Sequence, residues 1–256
     1  MQTAERVSAS DLSDNYVFQR SKLAYIEAAK LISGNVLEIG SGDGYGIEIM
    51  AQKAQHFTTV DKFKCEAVDR LQLSNVTFKQ MNVPPFEGLA DNTFDFVVSF
   101  QVIEHIPNHK LFVQEIARVL KPGGKFIVTT PNKKMSITRN PWHVREYHIH
   151  ELEALLLKDF AHVDKKGVFG NHKIMEYYEN NKASVQRITR FDIFNLQYLL
   201  PRQLLQIPYD ILNRRNRKKL LNENNSLVAS IEMEDYYIDT AKDGCFDLFY
   251  IATKKA

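Results

Sequence analysis

Residues 38–44 read Glu-x-Gly-x-Gly-x-Gly, directly behind the short apolar run of Val36, Leu37 and Ile39. Glycines at every second position let a chain turn sharply and bring backbone N–H groups against a ligand that a Cβ would hold off. A dinucleotide fingerprint would need its third glycine elsewhere, and Glu38 in the strand would repel a pyrophosphate. A carboxylate there suits a ligand with a cationic or hydroxylated group. Asp61 stands 17 residues after Gly44, at the end of the apolar run 56–60. That is close to the spacing at which an acidic residue reaches a ribose and accepts from both hydroxyls of its diol. Three histidines, His105, His143 and His148, follow later apolar runs. An imidazole there can act as the base that an alcohol, phenol or ammonium acceptor requires.

Chemistry of this kind needs several strand ends side by side. Brief apolar runs at 35–39, 56–60, 76–80, 92–100 (with its lead-in), 125–130, 162–170 and 246–253 alternate with helical stretches. The helices are expected at 16–32, 44–54, 64–73, from His109 to about Leu120, and at 151–157. Alternation of this sort predicts an α/β fold with a doubly wound, mostly parallel sheet of seven strands, the last one antiparallel. Ligands of such sheets sit beyond the C-terminal ends of the strands.

The Glu38–Gly44 motif, the stretch Asn92-Thr93-Phe94-Asp95-Phe96-Val97 and the pentapeptide Leu120-Lys121-Pro122-Gly123-Gly124 resemble the class I S-adenosylmethionine-dependent methyltransferases. The loop Pro141-Trp142-His143-Val144-Arg145-Glu146-Tyr147 resembles the type 11 branch of that family. The resemblance implies the sheet order 3-2-1-4-5-7-6 and S-adenosyl-L-methionine as cofactor. It lays Gly40, Gly42 and Gly44 under the methionine part, with Glu38 behind them and Phe100 at the end of the fourth strand. Tyr16 or Arg20, on a helix before the first strand, would approach the cofactor carboxylate, and Asp61 would hold the ribose. Lys62 would flank the adenine, with Asn82 and the Val83 N–H as its hydrogen-bonding partners. Asn82 departs from the acidic residue that family members often carry there.

By the same resemblance the acceptor lies near His105 and His143, either as bases or as structural neighbours, with Arg145 and Tyr147 on the acceptor side. His148 stands where a helix-start residue is expected. Some relatives hold a divalent cation with an E-x-x-E-H set. This chain has Gln101 in the first place, ahead of Glu104 and His105, so no metal is expected.

Some 75 residues separate the last two strands where a turn would suffice. Residues 171–225 are expected as a helical insertion or lid within a single methyltransferase domain spanning 1–256, with breaks at Pro201 and Pro208. They carry ten Lys/Arg against five Asp/Glu, in a chain whose net charge is only +2. Arg187, Arg190 and Tyr198 are the expected acceptor contacts. A leucine- and isoleucine-rich stripe over 199–212 precedes the basic run 214–219. That pairing admits a solvated lid, a lipid-linked acceptor or peripheral membrane contact. A nucleic-acid partner is disfavoured, because the basic run is short and no RNA-binding module accompanies it.

No run of 18 apolar residues occurs, the first residues lack a basic and apolar leader, and there are only two cysteines, Cys65 and Cys245. A cytoplasmic protein is expected, with residues 1–14 polar and loose. The leading function is methyl transfer to oxygen or nitrogen of a small-molecule or saccharide-type acceptor. An RNA or protein methyltransferase, and a non-catalytic cofactor-binding scaffold of the same fold, are the alternatives.

Overall fold

The structure, a computed structural model, describes residues 7, 8, 10–192 and 194–256. Its strands are β1 (Asn35–Ile39), β2 (His56–Asp61), β3 (Val76–Gln80), β4 (Phe94–Phe100), β5 (Leu120–Pro131), β6 (Phe160–Gly170), β7 (Tyr236–Thr240) and β8 (Asp247–Lys254). They form one sheet in the order β3-β2-β1-β4-β5-β8-β6-β7. The expected order is present, with β8 entering antiparallel between β5 and β6. The short strand β7 adds an eighth member on the outer edge of β6.

Each face of the sheet carries its own apolar layer. Val36, Val98 and Ile127 point to one side, where α1 (Asn15–Ala29), α2 (Ile47–Ala51) and α3 (Glu66–Leu71) pack. Leu37, Val97 and Phe126 point to the other, against α4 (His109–Val119) and α5 (Ile149–Leu156). Successive strand residues facing opposite layers is what burial on both sides demands. Helix α4 starts where the Asn108 side chain accepts from Leu111 N–H at 3.2 Å, and it buries Phe112, Val113, Ile116 and Val119 along one stripe.

Between β6 and β7 the chain runs through α6 (His172–Thr189), α7 (Leu196–Leu199), α8 (Arg202–Glu223) and α9 (Asn225–Ala229). The break at Pro201 is present, but Pro208 lies inside α8 and does not interrupt it. Pro208 and Leu204 are both exposed, so water can satisfy the carbonyl that loses its N–H partner. These helices dock on the ligand edge of the sheet through the segment 133–148. Trp142 Nε1 donates to Asp210 Oδ1 at 3.0 Å, Thr138 Oγ1 to Gln197 Oε1 at 2.6 Å, and Arg139 to the Gln197 carbonyl at 2.7 Å.

Of the stretch expected to be loose, residues 1–6 and 9 lie outside the described residues. From Leu12 the chain is fixed. Asp14 is fully buried, and its Oδ1 lies 2.6 Å from both Arg214 and Arg217 of α8. Among the described residues no helix is long and apolar enough to cross a membrane.

Candidate active site

The chain leaves β1 with Gly40 at φ +89°, and a Cβ there would stand 2.5 Å from Val102 Cγ2. Gly42 follows at φ +52°, with nothing within 4 Å of where a Cβ would stand. One glycine is required by close packing, and the other opens a concave face toward solvent. Asp61, ending β2, faces that turn. Its Oδ2 accepts from Gly42 N–H at 3.1 Å and its Oδ1 from Phe63 N–H at 2.9 Å. Lys62, with its ammonium 4.9 Å from the Phe63 ring, and the exposed Asn82 and half-buried Val83 beyond β3 lie at the same edge. Asp61 and the Gly42 backbone thus share one open edge of the turn.

Glu38 sits behind the turn and is buried. Its two oxygens accept from Tyr25 Oη at 2.8 Å and Thr59 Oγ1 at 2.6 Å. Burial pushes its carboxyl up to about 7, against the pull of those two hydroxyls. The Tyr25 ring closes over Gly46 and meets Phe100 edge-on at 4.8 Å. Glu38 and Phe100 are therefore packed around the turn through Tyr25.

Nine and five residues before Tyr25 on α1, roughly 14 and 8 Å along the helix axis, Tyr16 and Arg20 border a cavity of about 450 Å³. Arg20 Nε lies 3.0 Å from Asp247 Oδ2, and its guanidinium stands 5.7 Å from the Tyr16 and Phe246 rings. Tyr16 stacks on Tyr177 at 4.2 Å. Burial raises the Asp247 carboxyl, and Arg20 opposes the rise. The cavity's other walls come from segment 131–146 and from α6 and α8, including Met135, Tyr178, Leu205 and Tyr209. Helix α1 thus spans from the glycine turn to the cavity floor.

The two histidines of the expected catalytic pair come together, with ring centroids 5.0 Å apart. His143 borders the cavity, and His105 lies behind it. His105 Nδ1 is 3.1 Å from the Trp142 carbonyl. His143 Nδ1 lies 2.8 Å from Glu146 Oε1, and its Nε2 lies 2.9 Å from Asn140 Nδ2. An amide donor at Nε2 and a carboxylate at Nδ1 fit the neutral tautomer protonated on Nδ1. His148 begins α5, its N–H donating to Glu151 Oε2 at 2.9 Å, as expected of a helix-start residue.

Glu104, His105 and His143 present donor atoms all within 4.8 Å of one another. Glu104 is buried, accepts from Thr130 Oγ1 at 2.9 Å, and is raised by burial against the two imidazoles. The set is a poor fit to a hard divalent cation. It holds a single carboxylate, and both nitrogens of His143 already face other partners.

The expected acceptor contacts do not meet at the cavity. The Arg145 guanidinium donates to the carbonyls of Ile106 and Pro107 and so ties the loop after β4. Tyr147 is buried with its hydroxyl 2.7 Å from His109 Nδ1. Arg187, Arg190 and Tyr198 are exposed on the outside of the insertion and do not line the cavity. Of the insertion's aromatics, Tyr177, Tyr178 and Tyr209 line the cavity, and sequence reading missed Asp247 and Arg139 there. A signal for Asp247 existed: an antiparallel last strand begins at the edge where the parallel strands end.

The family described as Methyltransferase domain matches residues 14–166, from the start of α1 to within β6. A probable S-adenosylmethionine-dependent methyltransferase of Mycolicibacterium smegmatis is 30% identical over 98% of this chain and 94% of its own length. A probable S-adenosylmethionine-dependent methyltransferase of Mycobacterium tuberculosis is 34% identical over 72% of this chain and 69% of its own. Among solved structures, the YcgJ protein of Bacillus subtilis shares the fold, with a TM-score of 0.55 at 16% identity over 91% of this chain and 98% of that one. With the glycine turn, Asp61 and the sheet order in place, the chain belongs to the class I S-adenosylmethionine-dependent methyltransferases.

Proposed function

We propose that this enzyme transfers the methyl group of S-adenosylmethionine to an oxygen or nitrogen of a small-molecule or saccharide-type acceptor, free or lipid-linked, held in the 450 Å³ cavity. The cavity carries this reading. It lies at the C-terminal edge of the parallel strands, floored by Tyr16, Arg20 and Asp247, and its volume suits a small molecule. The insertion 171–225 acts as the acceptor lid of a single methyltransferase domain. Ubiquinone-pathway O-methyltransferases among the curated relatives support an oxygen acceptor. The loop 141–147 supports the type 11 branch. Two buried free thiols, Cys65 and Cys245, support a cytoplasmic setting.

Bound S-adenosylmethionine supplies an electrophilic methyl group on a sulfonium whose departure needs no proton. The protein's work is to orient and to exclude water. Gly42 and Asp61 would hold the ribose end and Lys62, Asn82 and Val83 the adenine, while Phe100 with Tyr25 closes the turn. Tyr16 or Arg20, on the cavity floor, would approach the cofactor carboxylate. Where an acceptor hydroxyl must lose its proton, His143 exchanges the Asn140 amide for that hydroxyl at Nε2, and Glu146 steadies the resulting imidazolium. His105 and Glu104 position His143 from behind.

Incubation of the protein with methyl-labelled S-adenosylmethionine and a cell extract tests the proposal. Label should appear in a small-molecule fraction. Label confined to RNA or protein would shift the acceptor class, and no transfer beside normal cofactor binding would favour the scaffold alternative.

A further inference from the structure

Among the described residues of 191–207, eight bulky apolar side chains are exposed, six of them by more than 60%. Phe191, Phe194 and Leu199 are 72, 74 and 73% exposed, and Tyr198, Leu204 and Ile207 are 61, 65 and 65% exposed. Scattered singly they would be ordinary, but together they make a patch of the kind that marks a binding surface. The first half of α8 explains the crowding. Leu205, Pro208 and Leu212 turn one apolar stripe to the cavity, while Leu204 and Ile207 present a second stripe left mostly exposed among the described residues. A helix apolar on two faces is stable in water only when both are occupied.

The charges on this stretch choose the occupant. Arg187, Arg190 and Arg202 accompany the patch, and the Arg190 guanidinium sits 4.8 Å from the Phe191 ring. The acids within 187–212 turn inward: Asp192 accepts from Leu196 N–H at 2.6 Å and Gln197 N–H at 3.0 Å, and Asp210 is buried against Trp142. A second copy of the chain would set these cations against themselves in a two-fold contact. An anionic bilayer takes both the apolar side chains and the arginines.

We propose that the outer face of residues 187–212 docks on an anionic lipid bilayer and seats the cavity's lid at the membrane surface. The same short elements wall the cavity on their inner side, so an acceptor bearing an acyl or prenyl chain enters without crossing water. The docking stands on the patch itself; the delivery of an acceptor rests on the cavity being the acceptor site.

Co-sedimentation with phosphatidylcholine vesicles, with and without phosphatidylglycerol, tests the proposal on the full chain. The protein should pellet with the phosphatidylglycerol vesicles, less so at high salt. Leu199→Ser/Leu204→Ser/Ile207→Ser should lower the partition coefficient by roughly a hundredfold. Arg187→Gln/Arg190→Gln/Arg202→Gln should lower it by roughly tenfold or more. Calorimetry with S-adenosylmethionine should give wild-type affinity for both variants, since neither touches the glycine turn. Absence of vesicle binding, or binding indifferent to both triple variants, overturns the docking face. A lipid-free dimer dissolved by the serine variant, without vesicle binding, assigns the face to a second copy and overturns it too. Loss of cofactor binding in the wild type would sink the methyltransferase reading and leave the docking result standing.

Discussion

Arg20 Nε and Asp247 Oδ2 lie 3.0 Å apart and join the first helix to the first residue of the last strand, at the floor of the cavity. Both side chains are largely buried, 17 and 5% exposed. Removing one partner of such a pair leaves the other charge without compensation. Asp247→Ala should therefore cost roughly 3–5 kcal/mol of stability, and Arg20→Met/Asp247→Leu should recover most of it. Urea unfolding of the three proteins checks this. A loss below about 1 kcal/mol for Asp247→Ala would place the pair among hydrated surface contacts.

Asp61 Oδ2 accepts from the N–H of Gly42, the open glycine of the turn. Asp61→Ala should weaken S-adenosylmethionine binding by roughly 1–3 kcal/mol, with little change in stability. Titration calorimetry on both proteins measures it. Equal affinities would remove Asp61 from the ribose.

Glu38 makes stability depend on pH. Its carboxyl sits at about 7 in the folded chain, against an ordinary 4.5. Between those values the folded protein keeps a proton that the unfolded chain has released. Stability attributable to this group therefore falls as pH rises through that window and stays low above it. Glu38→Gln cannot titrate, so its stability relative to wild type should improve between pH 5 and 8 by up to about 3 kcal/mol. Urea midpoints for both proteins across that range decide it, since other groups cancel in the difference. A difference that stays constant with pH would refute the claim.

Methyl transfer should not require a metal. Glu104, His105 and His143 offer one carboxylate, and the His143 nitrogens face Asn140 and Glu146. Rates of label transfer with and without excess chelator should agree. A loss restored by magnesium or manganese would return the three residues to metal ligation.

The first 170 residues were largely legible because their signals are local. Apolar runs and the glycines of 40–44 each act within a few positions, and the strands from Asn35 to Gly170 lie close to where they predict, except that β5 begins at Leu120 and takes in Lys121–Gly124, expected as the stop between helix and strand. Strand β7 was not legible: it is short, mostly exposed and at an edge, so little burial patterns it. Side-chain direction was the larger loss. Arg145 and Tyr147 are spent on holding the wall, which only the loop after β4 and His109 reveal. The basic run misled for a similar reason. Arg214 and Arg217 turn inward to Asp14, two hundred residues earlier in the chain, so the charge of that run overstates what it shows to a partner.

The position of β8 between β5 and β6 also governs the order of assembly. During synthesis, β1 to β5 can pair as soon as they emerge, since each lies beside a strand already made or soon to follow. The free side of β5 must then wait while the helices of 172–229 are produced. Until Asp247–Lys254 arrives, both β5 and β6 present open backbone edges, the state most prone to joining another chain. Any nascent or truncated form ending before Asp247 is thus predisposed to aggregate even with its glycine turn complete.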